Sequence, residues 1–169
     1  MNQYQGLWWQ QAKSDYDIFL LLKREVGIEC HQLHFLQMAT EKLSKAYFWR
    51  TGAAPPKSHT GFHKFMRNLG SVSDTRRQEK ILKTLSFPRL EDFQKWLKGT
   101  LSIVYSLQNC TPDLPQNGQN PEYPWPHELP THNPLNHKFE IWQILSQTGK
   151  GRQLLQIIEV AIARFSEYC

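Results

Sequence analysis

The fold is decided by residues 29–50, which read ECHQLHFLQMATEKLSKAYFWR. Four aliphatic residues recur there at spacings of three and four, the period at which side chains share one face of an α-helix: Leu36, Ala39, Leu43 and Ala46. Gly52 ends the predicted helix, and Pro55 and Pro56 prevent it from resuming. The stretch therefore predicts a long amphipathic helix with one buried side.

Helical periodicity continues on both sides of this stretch. Ser58 and Asp74 are residue types that favour the start of a helix, and glycines at 149 and 151 are expected to break the last helical segment. No segment alternates with a period of two for long enough to predict a strand. Besides residues 29–50, the sequence predicts helices over residues 5–26, 58–69, 74–85, 88–108 and 137–167.

Residues 109–136 depart from this pattern, because they hold most of the prolines and almost no periodicity. Tyr123 and Trp125 suggest that part of this segment packs on the helices. The sequence predicts an all-α fold, an antiparallel bundle of four to five helices with a long proline-rich loop before the last helices. Its 169 residues fit a single domain over residues 1–169.

Composition limits the classes of function. The net charge is +5, with an isoelectric point near 9.2, and the basic residues are scattered, which permits a polyanionic partner without requiring one. The longest apolar run covers about residues 18–22, far short of the ~20 residues of a membrane span. Three cysteines without a CxxC pair predict no disulfide framework. We therefore expect a cytoplasmic protein that makes no membrane contact.

Histidines and lysines are the candidates for chemistry. His59 and His63 lie four residues apart and could hold zinc together, but the spacing supplies no third ligand, so we predict no metal site and no cofactor. Lys42 and Lys45 follow Glu41 on the second helix. Such a pattern is typical of a solvated helix face, and it could also bind phosphate where the second helix meets the third.

Four motifs carry a resemblance to a known family. Residues 35–46 read FLQMATEKLSKA; Gly52 and two prolines come next, followed by SHT from residue 58. The chain also has W-x-x-Q-A-x-x-D over residues 8–15 and NPEYPW over residues 120–125. In this order and spacing, residues 7–165 resemble the HEPN domain family.

The resemblance implies an up-and-down helical bundle that forms a homodimer. Members of the family occur beside minimal nucleotidyltransferases in toxin–antitoxin pairs, or bind nucleotides or RNA. Many are metal-independent ribonucleases. Their active-site motif is an arginine followed, after four to six intervening residues, by a histidine. Only Arg24 and His31 have this spacing here, and the pair straddles the first turn between helices, whereas the family places it on a later helix.

Three hypotheses follow. The first is a binding or regulatory module that binds a nucleotide or RNA phosphate and pairs with a nucleotidyltransferase. Its predicted ligand-binding residues are Glu41, Lys42, Lys45, His59, Lys64 and Tyr123. The alternative is a metal-independent ribonuclease toxin with Arg24 and His31 as catalytic residues. The third is an oligomerisation scaffold whose basic face is only solvated.

Overall fold

The protein is represented by a computed structural model that describes residues 1–25, 27–52, 61–112 and 117–169. These ranges contain helices and no strand, with one isolated bridge between Trp125 and His132. The predicted all-α bundle is confirmed for them. The helices are α1 (Gln3–Glu25), α2 (Glu29–Phe48), α3 (Gly61–Gly70), α4 (Thr75–Thr84), α5 (Leu90–Lys98), α6 (Leu101–Gln108), α7 (Glu140–Gln147), α8 (Gly149–Ala163) and α9 (Phe165–Tyr168).

The first two helices form an antiparallel hairpin, the most extensive helix contact in the fold. Gly27 connects them with φ +70°, a left-handed conformation that glycine adopts without steric cost. A 3-10 turn, Trp49–Thr51, extends α2. The Trp9 indole donates a hydrogen bond of 2.8 Å to the carbonyl of Ile162, which ties α1 to α8. This hairpin supplies much of the buried core.

The predicted helix over residues 88–108 is two helices in the structure, α5 and α6. Thr100 separates them with φ −120° and ψ −12°, outside the helical region. Its hydroxyl donates a hydrogen bond of 2.8 Å to the carbonyl of Trp96. A threonine that hydrogen-bonds to the preceding turn competes with the backbone and favours a helix end.

The predicted cap at the start of α4 is confirmed, since the Asp74 carboxylate accepts a hydrogen bond of 2.8 Å from the Arg77 amide.

The predicted break near the glycines of the last segment is also confirmed. Thr148 separates α7 from α8, and its hydroxyl accepts a hydrogen bond of 3.0 Å from the Gly151 amide. A Cβ atom on Gly151 would lie 2.1 Å from the carbonyl oxygen of Ile144. Only glycine fits at this position, because the start of α8 passes so close to the end of α7.

The described part of the proline-rich segment is anchored to the helices. The Trp125 ring stacks on His132, with ring centroids 5.4 Å apart, and lies against the Phe139 ring at 6.1 Å. The Glu29 carboxylate, in the first turn of α2, accepts hydrogen bonds from the Phe139 amide at 3.1 Å and from Lys138 at 3.2 Å. Within the described ranges, no helix is both long enough and apolar enough to span a membrane.

Candidate functional site

Lys42 lies in the contact between α1 and α2, where its ammonium group is already paired. Its Nζ is 2.5 Å from Oδ2 of Asp15, and the two side chains are only 14% and 7% exposed. The other carboxylate oxygen of Asp15 accepts a hydrogen bond of 3.0 Å from the Gln11 amide group. A phosphate could recruit Lys42 only by displacing a buried carboxylate, which is costly when the remaining charge stays buried.

Lys45 has a similar environment one turn further along α2. Its Nζ is 2.5 Å from Oε1 of Glu41, the ion pair that the four-residue spacing predicts. The same ammonium lies 5.0 Å from the centroid of the Trp8 ring, within the range of a cation–π contact. Both contacts hold Lys45 against the α1–α2 hairpin.

The other predicted ligand-binding residues make no direct polar contact with this pair of lysines within the described ranges. Lys64 is exposed on α3, and Tyr123 is 45% exposed in the proline-rich segment. No hydrogen bond or ion pair within the described ranges joins either of them to Lys42 or Lys45. His59 lies outside the described residues. A shared role of these residues in binding therefore stays a prediction.

The two candidate catalytic residues are both exposed. Arg24 lies at the end of α1, where its Nε donates a hydrogen bond of 2.6 Å to Oε1 of Glu25, and His31 lies in the first turn of α2. No hydrogen bond or ion pair joins them in the part of the chain that the structure describes, and their catalytic role stays a prediction. That part also holds no group of three side chains suited to a metal ion.

The positive charge of the chain is concentrated on α3, α4 and α5. Residues 61–98 contain nine lysines and arginines and four aspartates and glutamates, so their net charge of +5 equals that of the whole chain. The rest of the sequence is neutral overall. Helix α5 contacts both α3 and α4. The basic residues, which appear scattered along the sequence, are therefore concentrated on three consecutive helices.

Each of these helices presents exposed cations at helical spacing. On α4, Arg76, Lys80 and Lys83 lie four and three residues apart, so they share one face. Arg77 instead faces inward, with its guanidinium 5.1 Å from the centroid of the buried Tyr47 ring. We call the exposed set the cationic surface: Lys64, Arg67, Arg76, Lys80, Lys83, Lys95 and Lys98.

The basic residues of this segment form few ion pairs. Of the nine basic residues in the segment, Arg89 alone forms an ion pair among the described residues, with Asp92 at 2.9 Å. Beside the surface, partial burial and the neighbouring Arg67 lower the pKa of His63 on α3. At neutral pH this histidine is therefore uncharged, and the positive charge comes from the lysines and arginines.

Comparisons with known proteins leave the family open. No protein-family model matches the chain, and no significant similarity to a curated protein or to a solved structure was found.

Sequence reasoning missed the cationic surface, although its signal was present. The charge balance of residues 61–98 can be counted directly, and the four- and three-residue spacing of the cations on α4 is visible. What spacing could not show is that α5 contacts both α3 and α4, or that Asp15 neutralises Lys42 from another helix.

Proposed function

We propose that this protein is a HEPN-like helical binding module whose cationic surface binds the phosphates of single-stranded RNA. The observation that carries the proposal is the concentration of the whole net charge on α3–α5, with its cations almost entirely unpaired. Lysine and arginine side chains without carboxylate partners can contact phosphates without breaking an existing interaction. Lys42 and Lys45 could bind phosphate only by giving up the ion pair that each already forms.

Electrostatic range supports the same assignment. At physiological ionic strength, charges interact over a Debye length of about 8 Å. Cations on one helix face at spacings of three and four residues lie within that range of one another, so their potentials add. A flexible polyanion with a phosphate at each nucleotide can follow such a surface, and the binding needs no catalytic residue.

The resemblance to the HEPN family extends the proposal to assembly. It implies a homodimer that pairs with a minimal nucleotidyltransferase in a toxin–antitoxin context. Light scattering on the purified chain tests the dimer, and co-purification with a nucleotidyltransferase encoded beside it tests the partner. A monomer at micromolar concentrations would contradict the dimer and leave RNA binding to be judged by its own experiment.

The decisive experiment compares two variants with the same change in charge. One combines Arg76→Gln, Lys80→Gln and Lys83→Gln on the cationic surface. The control combines Lys13→Gln, Lys23→Gln and Arg152→Gln on α1 and α8, all of them exposed. Fluorescence anisotropy measures binding of a labelled single-stranded RNA as a function of salt. We expect the first variant to lower the magnitude of the log–log salt slope by about 2, since each single-strand phosphate contact contributes about 0.7.

The control variant is expected to keep a salt slope close to that of the wild type. Equal weakening by both variants would mean that only net charge matters, and it would contradict the assignment to α3–α5. Absence of RNA binding by the wild-type chain at about 50 mM salt would reject RNA as the ligand.

A further inference from the structure

A cavity of about 390 Å³ lies between α6, α7 and the proline-rich segment. This volume is near the lower end of the range for small-molecule sites, about 300–1,000 Å³, and so suits one nucleoside-sized ligand. All residues that line it belong to the described ranges: Tyr105, Ser106, Asn109, Cys110, Gln119, Phe139, Glu140, Ile141 and Ile144.

The lining has an apolar floor and a polar rim, which suits a flat heteroaromatic ring. Phe139 is buried, and Ile141 and Ile144 are half-buried. Burial raises the pKa of the Cys110 thiol to about 12, so the thiol is neutral and behaves as an apolar group. On the rim, Glu140 is the one acidic side chain of the lining.

The cavity is connected to the cationic surface through Tyr105. The Tyr105 ring, on the cavity rim, meets the His63 ring edge to face, with centroids 6.2 Å apart. His63 precedes Arg67 by four residues on α3, so the two lie on the same helix face. A ligand bound at the Tyr105 side of the cavity therefore has its exposed end close to the positively charged helix α3.

We infer that this cavity is a nucleobase site that prefers guanine, and the inference rests on the proposed RNA-binding function. An ionised carboxylate is an acceptor only. Guanine presents two adjacent donors, N1–H and the N2 amino group, which the Glu140 carboxylate can accept together. Adenine presents only its amino group as a donor on that edge. The exposed Tyr105 ring offers a stacking surface, as aromatic side chains do for unpaired RNA bases.

Calorimetric titration of the full chain with GMP, AMP and guanosine tests the inference. We expect GMP to bind about tenfold more tightly than AMP, the discrimination typical of a bidentate base contact. Guanosine is expected to bind more weakly than GMP, because it lacks the phosphate that α3 attracts. Glu140→Gln should remove most of the difference between GMP and AMP.

Two serines on α6 allow a matched pair of variants, one that fills the cavity with a larger side chain and one that serves as its control. Ser106 lines the cavity, whereas Ser102, one turn earlier, is also exposed and does not line it. Ser106→Leu should abolish GMP binding, and Ser102→Leu should leave it unchanged. Equal affinity for GMP and AMP, or undiminished GMP binding by Ser106→Leu, overturns the inference.

The two proposals fail in different ways. If RNA binds with the predicted salt slope and GMP does not bind, the nucleobase site is wrong and the cationic surface stands. If GMP binding depends on Ser106 but RNA binding ignores the Arg76, Lys80 and Lys83 substitutions, the cavity stands as a nucleotide site and the assignment of RNA binding to α3–α5 is wrong.

Discussion

Lys42 and Lys13 are both lysines that pair with an aspartate, but their surroundings differ. The Lys42–Asp15 pair is buried, whereas the side chains of Lys13 and Asp17 are 51% and 56% exposed. Removing one partner of a buried pair leaves the other charge without compensation, and exposed pairs contribute little. The two positions therefore separate a structural lysine from a surface lysine in the same hairpin.

We predict that Lys42→Met lowers the free energy of unfolding by about 3 kcal/mol, and that Lys13→Met changes it by less than about 0.5 kcal/mol. Urea denaturation followed by circular dichroism measures both. The double variant Asp15→Leu/Lys42→Met should recover most of the loss, because no unpaired charge remains. If Lys42→Met were as stable as Lys13→Met and bound RNA less tightly, Lys42 would be a ligand-binding residue.

Cys110 provides a second prediction at the scale of one residue, and it depends on pH. Burial raises the pKa of its thiol from the ordinary value of 9.0 to about 12. The reactive thiolate is then about a thousandfold rarer at pH 8 than for an unperturbed thiol. Alkylation of Cys110 by iodoacetamide, followed by mass spectrometry, should be slower by about that factor in the folded chain than in urea. Equal rates in the two states would contradict this burial.

Among the helices, the crossing of α7 and α8 sets the sharpest constraint. A Cβ on Gly151 would meet backbone atoms of Ile144 and Leu145, whereas one on Gly149 would meet nothing within 4 Å. We predict that Gly151→Ala destabilises the protein by at least about 3 kcal/mol, because backbone cannot move aside as a side chain can. Gly149→Ala should be neutral or stabilising by up to about 1 kcal/mol. Thermal unfolding of the two variants measures the contrast; similar melting temperatures would refute it.

Helix spacing alone recovers some elements of this fold and misses others, for a physical reason. Asp74 could be recognised as a cap, since the interaction lies within three residues. The break at Thr100 could not, because Leu97, Leu101 and Val104 continue the helical spacing across it. The same limit applies to the candidate site. Local spacing shows Glu41 beside Lys45, but Asp15 reaches Lys42 across 27 positions of sequence.

Over the whole molecule, helices that are far apart in the sequence contact one another. α1 contacts α8, and α4 contacts α9. The six tryptophans lie in α1, the 3-10 turn after α2, α5, the proline-rich segment and α7. We predict that urea unfolding curves from far-ultraviolet circular dichroism and from tryptophan fluorescence coincide, the test of two-state behaviour. An earlier fluorescence transition would show that part of the structure unfolds independently.

The anchoring of the proline-rich segment has a wider consequence. Glu29 stands in the first turn of α2 and accepts the amide hydrogen of Phe139, the residue that precedes α7. One carboxylate therefore compensates the positive dipole ends of two helices that begin more than a hundred residues apart. Opening of the segment at Phe139 withdraws this carboxylate from the start of α7 and leaves it in the first turn of α2.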